Sequence, residues 1–242
     1  HIIHLLMTIN LISLEPQNAS IALPATGNTL SFSSNIGIIN SSITGFNIYP
    51  SQDTGGGTNG IWAYGEHYVT INDCVITDFN DRAIGTGISS GTVNNSLLVD
   101  NNIVLFQDNC SVGALGLQAT FYNSTIINHQ HIYMSCASNS AAFVNTIIMG
   151  TPLDSSGYTS PPEFNRVITD SPLVVPQSNS TWQLAPESFT DLYFTDYENR
   201  DFTLQNTSPA IGYGYYPIST DILGNPRPAP LGSNVDIGAY ES

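Results

Sequence analysis

Apolar residues run through this chain in short clusters of Val, Ile, Leu and Phe, each cut off by Asn, Asp, Gly or Ser. One cluster is written twice. Phe121-Tyr122-Asn123-Ser124-Thr125-Ile126-Ile127-Asn128 is followed by Phe143-Val144-Asn145-Thr146-Ile147-Ile148-Met149-Gly150. Each reads as an apolar residue, any residue, Asn, a small residue, any residue, then an aliphatic one. Upstream copies are Val93-Asn94-Asn95-Ser96-Leu97-Leu98, Ile71-Asn72-Asp73-Cys74-Val75-Ile76, Ile38-Ile39-Asn40-Ser41-Ser42-Ile43 and Pro16-Gln17-Asn18-Ala19-Ser20-Ile21. The aligned position is then Asn18, Asn40, Asp73, Asn95, Asn123 and Asn145, at steps of 22, 33, 22, 28 and 22 residues.

A recurring period of this length marks stacked units, none of which can bury its apolar face alone. The unit is too short for a helix pair, and its β-branched runs and turn residues are strand and bend signals. Three short strands per turn, each paired with its copy in the next coil, give a parallel β-helix whose coils lie ~4.8 Å apart. At the repeated position Asn tolerates a left-handed bend and can bond to its copies above and below. The pattern predicts an all-β solenoid with an asparagine ladder.

Residues 1–151 read as regular coils, 152–198 as loop-rich irregular coils with many prolines, and 199–242 as a closing segment, all within one domain. The first twelve residues are apolar but lack a basic start and a cleavage-like end, so they read as strands of a first coil. A chain that opens in mid-coil without Met reads as part of something longer. Strand edges at a solenoid's end template aggregation, so the closing segment is expected to cap that end.

Charge narrows the function classes. Four Lys+Arg, all arginine, stand against 19 Asp+Glu, for a formal net charge of −15 and a pI near 4.1. Nucleic acid and anionic lipid both need basic contacts, so neither is an expected partner. The Gly-rich stretch Ser51–Gly60 lacks the lysine and helix of a phosphate loop and reads as a projecting loop. After it, Trp62, Tyr64, His67 and Tyr68 either stack on sugar rings or cover the coil edge.

Asp73, Asp78, Asp81 and Arg82 form the densest charged cluster of the repeat. Asp78 and Asp100 each lie five past a ladder residue and would stack, with Asn128 and Gly150 following in register. Three readings stand: a polar turn position, a cation site for Ca²⁺, or the paired carboxylates of glycoside hydrolysis. No cofactor is required overall, and Ca²⁺ is a possible one. His129 and His131 alternate, with no third metal ligand in view, and read as two surface histidines.

Cys110 and Cys136 fall at similar offsets in adjacent coils and are candidates for a disulfide, whereas Cys74, beside the ladder, reads as a small packed side chain. Among the Asn-x-Ser/Thr acceptors, Asn94, Asn109, Asn179 and Asn206 lie off the ladder and are the candidate glycan sites. Asn18, Asn40 and Asn123 also head such triplets, but their amides are expected inside ladder bends.

The C-terminal part reads Asp201-Phe202-Thr203-Leu204, Ser208-Pro209-Ala210-Ile211-Gly212-Tyr213-Gly214, Asp221-Ile222-Leu223-Gly224-Asn225-Pro226-Arg227 and Val235-Asp236-Ile237-Gly238-Ala239-Tyr240-Glu241. This order resembles the ending of secreted right-handed parallel β-helix proteins of the pectin-lyase-like superfamily with a choice-of-anchor type segment. Gly212 departs from it, where such segments often carry Asp. Arg227 is expected to pair with Asp221, Asp236 or Glu241 and pin the segment. The resemblance implies a right-handed helix and a place among polysaccharide lyases, hydrolases and non-enzymatic surface proteins. A lyase would want a basic residue and cations for a uronate, which this acidic chain could supply only through bridging Ca²⁺. The leading expectation is a secreted or cell-surface structural and adhesive β-helix, in a longer chain or filament, with glycans, its own copies or a neighbouring chain as partners. The alternatives are a glycoside hydrolase or lyase using Asp73, Asp78, Asp81 and Arg82, and a carbohydrate-binding module using Trp62, Tyr64 and Tyr68.

Overall fold

The structure, a computed structural model, describes residues 10–13, 19–23, 30–51, 59–86, 90–101, 103–107, 118–134, 140–152, 162–170, 181–184, 193–215 and 218–242. The strands are β1 (Asn10–Ile12), β2 (Ala19–Leu23), β3 (Leu30–Thr44), β4 (Phe46–Pro50), β5 (Asn59–Asn72) and β6 (Val75–Thr77). They continue as β7 (Arg82–Thr86), β8 (Ser90–Asn94), β9 (Leu97–Val99), β10 (Ile103–Gln107), β11 (Gln118–Tyr122), β12 (Thr125–Ile127) and β13 (His131–Met134). The last are β14 (Ser140–Val144), β15 (Ile147–Met149), β16 (Glu163–Thr169), β17 (Thr181–Leu184), β18 (Phe194–Asp196) and β19 (Asp201–Leu204).

Strands β1 to β17 join in one sheet whose pairings are parallel, and β18 and β19 form a separate antiparallel hairpin. The parallel pairings sort into three columns. In the first, the end of β5 pairs with β8, β8 with β11, β11 with β14 and β14 with β16. In the second, β4, β6, β9, β12 and β15 follow one another. In the third, β7, β10 and β13 do the same. The chain is a parallel β-helix.

Two single-residue bends connect the columns. The first holds Asp73, Asn95, Asn123 and Asn145, with φ between 46° and 52°. The second holds Asp78, Asp100, Asn128 and Gly150, with φ between 51° and 64°. A left-handed residue costs L side chains energy, and Asn, Asp and Gly bear it most readily. Each bend amide but Gly150 then donates to the carbonyl one coil on, as in Asn95 N to Tyr122 O at 2.8 Å and Asn128 N to Met149 O at 2.9 Å, and Gly150 N donates to Asp170 Oδ2 at 2.9 Å. At the first bend the side chains also link, with Asn95 Nδ2 donating to Asp73 Oδ1 at 2.6 Å and Asn145 Nδ2 to Asn123 Oδ1 at 3.4 Å. Beside them Ser96, Ser124 and Thr146 return their hydroxyls to Asn94, Tyr122 and Val144 carbonyls, so these buried hydroxyls are satisfied, whereas Asn123 Nδ2 meets no acceptor among the described residues.

The ladder differs from the expectation at its start. Asn40 is exposed inside the long strand β3, where it pairs with Tyr68. Register puts Thr44 opposite Asn72, so Gly45, with φ 81°, holds the place across from Asp73. A glycine turns there without any amide to announce it. Asn18 lies outside the described residues.

Inside the coils sits a core of Ile43, Ile71, Ile76, Leu98, Ile126, Ile148 and the rings of Phe121, Phe143 and Phe164. The three rings stack one per coil, with centroids 5.0 and 5.6 Å apart. The second column is apolar on its outer face as well. Leu97, Val99, Ile127, Ile147, Met149 and Ile168 point away from the interior into a second core with Phe194, Phe202, Ala210, Ile222, Ile237 and Ala239. Six such side chains left bare would cost on the order of 10 kcal/mol.

The closing segment therefore lies along the flank of the helix, as a strap across successive coils, where the sequence reading placed it over the end. Gly238 N donates to Asn145 O at 2.9 Å and Ala239 N to Thr125 Oγ1 at 3.0 Å. At Gly238, φ is 98° and an added Cβ would meet Thr125 Oγ1 at 2.8 Å, so only glycine allows this approach.

Candidate functional site

The strap grips both bends. On the first-bend side, Arg227 is buried against the ladder. Its Nη2 donates to Asn95 Oδ1 at 3.1 Å and to Gly238 O at 2.9 Å, its Nη1 to Asp236 O at 3.4 Å, and its Nε lies 3.7 Å from Glu241 Oε2. Asp221 and Asp236 are buried beside it, each accepting several backbone amides. Burial pushes the Asp73 and Glu241 carboxyls above the usual range, more than the hydrogen bonds and the Arg227 charge pull them down. Arg227 thus pairs with Glu241 and sits in the field of Asp221 and Asp236, and it pins the strap to Asn95. Gly212 N donates to Asp236 Oδ1 at 2.7 Å, so the backbone there supplies a donor.

On the second-bend side the β18–β19 hairpin turns through Tyr197 to Arg200. Arg200 takes Asp78 in a two-pronged grip, Nη2 to Oδ1 at 2.7 Å and Nη1 to Oδ2 at 3.1 Å, and its Nη2 also reaches Asp100 Oδ2 at 2.5 Å. Tyr197 donates from its hydroxyl to Asn128 Oδ1 at 2.5 Å. Burial raises the Asp78 carboxyl, but the hydrogen bonds from Arg200 and Thr77 and the Arg200 charge outweigh it and hold the carboxyl below its ordinary value. Asp78 and Asp100 do stack at a turn position, and their counter-charge is an arginine from the strap. Among the described residues no group of three or more His, Cys, Asp or Glu is placed to hold a metal ion.

Outside this second bend runs a groove of about 810 Å³, lined by Asp78, Asn80, Asp100, Asn128, Gln130 and Gly150, with Pro50 at one end. Its floor is a buried polar column. Asn101 Oδ1 accepts from Phe79 N at 3.0 Å, and Thr151 Oγ1 accepts from His129 N at 3.2 Å. His129 is buried, contrary to the reading of it as a surface residue. Its Nδ1 lies 2.9 Å from Asn101 O and its Nε2 3.1 Å from Leu98 O. Burial pushes its pKa down to about 4, against the pull of those two carbonyls and Asp100. The side chain of His131 lies outside the described residues.

The other candidate residues scatter. Asp81 pairs with Arg82 at 3.3 Å, and Arg82 lies over the Trp62 ring at 5.3 Å, so both belong to one edge of the helix. Tyr68 is half-buried on β5, and the side chain of Tyr64 lies outside the described residues. Asn94 is half-buried, and its Nδ2, the atom a glycan would take, donates to Asn72 Oδ1 at 2.8 Å and Thr92 Oγ1 at 3.5 Å. Asn206 is exposed, while Asn109 and Asn179 lie outside the described residues. Cys110 and Cys136 lie outside them too. Cys74 is a buried free thiol, pushed up to about 12 by burial and donating to Asn72 O at 3.1 Å.

Sequence reasoning missed Arg200 and Tyr197. A signal existed: a chain with four arginines and stacked aspartates needs each arginine as a counter-charge. No protein-family model matches the chain, and comparison with curated proteins and with solved structures gives no match. No helix among the described residues is long and apolar enough to cross a membrane.

Proposed function

We propose that this chain is a structural and adhesive β-solenoid displayed outside the cell, as part of a longer chain or an extracellular filament. The observation that carries this reading is where its carboxylates go. Asp78 and Asp100 are held by Arg200, Asp81 by Arg82, and Asp73 by Asn95 beside Arg227. A glycosidase needs one carboxyl free to give a proton and another free to receive charge, in reach of the same bond. Here Asp78 and Asp100 fasten the strap to the coils, and Asp73 and Asp81 are tied within them. The likeness of the closing segment to secreted β-helix proteins of the pectin-lyase-like superfamily points the same way, since that superfamily includes surface proteins without catalysis.

A second reading, a polysaccharide-active enzyme, has one observation in its favour. Asp73 is raised and Asp78 lowered from their ordinary values, the divergence that acid and base roles require. The two stand on different bends at opposite ends of β6, with Asp73 turned to the strap network and Asp78 to Arg200. Electron microscopy of the natively isolated protein tests the first reading. Filaments or surface assemblies with a regular axial repeat support it. Dispersed particles that cleave a polysaccharide, and lose that cleavage in Asp78→Asn, overturn it.

A further inference from the structure

The groove along the second bend is built in register, and we propose that it is a binding site for a linear, uncharged glycan. This rests on the adhesive reading and names its ligand class. Pro50, Asp78, Asp100, Asn128 and Gly150 line the groove, and the strand pairings place them at the same bend of consecutive coils. Four coil steps at ~4.8 Å give an elongated site of roughly 19 Å. A chain-like ligand with a repeat matches that shape, and a compact one does not fill it.

The lining chemistry selects the ligand's charge. Its two carboxylates are neutralised in part by Arg200, which reaches them from the strap. The groove's own lining contains no lysine or arginine, and the Arg200 at its edge is already engaged by two carboxylates, so a polyanion would find no unengaged counter-charge and would meet Asp78 and Asp100. A polycation would have to compete with a two-pronged Arg200 contact already made. What the lining offers is carboxamide: Asn80, Asn128 and Gln130, each able to donate and to accept. Hydroxyl groups that also do both are their natural complement, and a neutral polysaccharide carries several on every unit.

The site is also stiff. Asp78 N, Asp100 N and Asn128 N are tied to carbonyls one coil on, at 3.2, 3.0 and 2.9 Å. Tyr197 fixes the Asn128 carboxamide through its oxygen. Below, Asn101 and His129 are buried and bonded, so little of the floor must be ordered on binding. Trp62, beneath Arg82, is not among the residues that line the groove.

Affinity gel electrophoresis of the whole chain tests this, with galactomannan, xylan and hydroxyethyl cellulose as neutral probes and polygalacturonate as the anionic one. Retardation by at least one neutral polysaccharide is expected. The double variant Asn80→Ala/Gln130→Ala, both at exposed positions, should keep the wild-type circular dichroism and melting and weaken retention by about tenfold or more. Trp62→Ala should retain binding. No retardation by any neutral probe, unchanged retention in the double variant, loss of it in Trp62→Ala, or tighter binding of polygalacturonate would each overturn the groove assignment. Filament formation is scored separately by microscopy, so failure of the groove and failure of the scaffold reading remain distinct.

Discussion

Removing the Arg227 side chain should unlatch the strap. Its side chain is fully buried, and Arg227→Ala deletes the hydrogen bonds to Asn95, Gly238 and Asp236 and the ion pair with Glu241. What remains is a cluster of Asp73, Asp221, Asp236 and Glu241 with its central cation gone. Breaking a buried pair from one side costs about 3–5 kcal/mol, because the partner charges stay buried. For a chain of this size that corresponds to a melting temperature lower by roughly 6–20 °C. The sign of the pH effect follows from the same residues. Arg227 stabilises ionised carboxylates, and Asp73 and Glu241 are already raised, so acid protonates them and makes the arginine less necessary. The deficit of Arg227→Ala should thus be largest at pH 7 and shrink toward pH 5. Urea unfolding followed by circular dichroism at both values measures it, and hydrogen exchange should show residues 218–242 losing protection first. A loss under about 1 kcal/mol at pH 7 would refute the reasoning. So would a deficit that grows in acid.

Other perturbations follow from the same geometry. His129 drops from an ordinary 6.5 to about 4 on burial, so stability should be full above pH 6.5 and fall by up to about 3 kcal/mol as pH drops toward 4. A ¹⁵N-imidazole titration that finds His129 near its ordinary pKa in the folded protein would sink that account. Phe143→Ala removes the middle ring of the stack between Phe121 and Phe164 and should cost about 3–5 kcal/mol in urea unfolding. Arg200→Gln should release Asp78 upward in carboxyl-carbon NMR titration while changing global stability by only about 1 kcal/mol, since the pair is exposed. An unmoved Asp78 titration would mean that Arg200 does not hold it.

How much of this was legible from the sequence depends on what each bend is made of. Asp73, Asn95, Asn123 and Asn145 could be read because the left-handed single-residue bend is made by Asn or Asp in four coils. Ile38-Ile39-Asn40-Ser41-Ser42-Ile43 copies the same letters inside an uninterrupted strand, while the true bend at Gly45 carries no side chain to match. The strap's location was half-written. Leu97-Leu98-Val99 and Ile147-Ile148-Met149 are apolar at every position, which is the mark of a strand buried on both faces. Only three residues long, they pass for fragments of a one-sided strand. His129 and Arg200 had no local signal: their partners lie 28 and 122 residues away, and only the scarcity of arginines hinted at a partner for Arg200.

The strap changes how the molecule must come apart and come together. A stack of coils that touch only their neighbours behaves as a one-dimensional chain, free to fray from its ends and to grow from any point. Here one segment ties Asp78, Asp100, Asn128, Asn95 and Asn145 to itself at once, so a single coil cannot peel off without undoing contacts several coils away. Melting should accordingly approach all-or-none behaviour across the strapped coils. During synthesis the order is reversed: the coils leave the ribosome first, with the outer faces of β9, β12 and β15 bare. They stay provisional until the last fifty or so residues emerge to cover them, at roughly 5–20 residues per second.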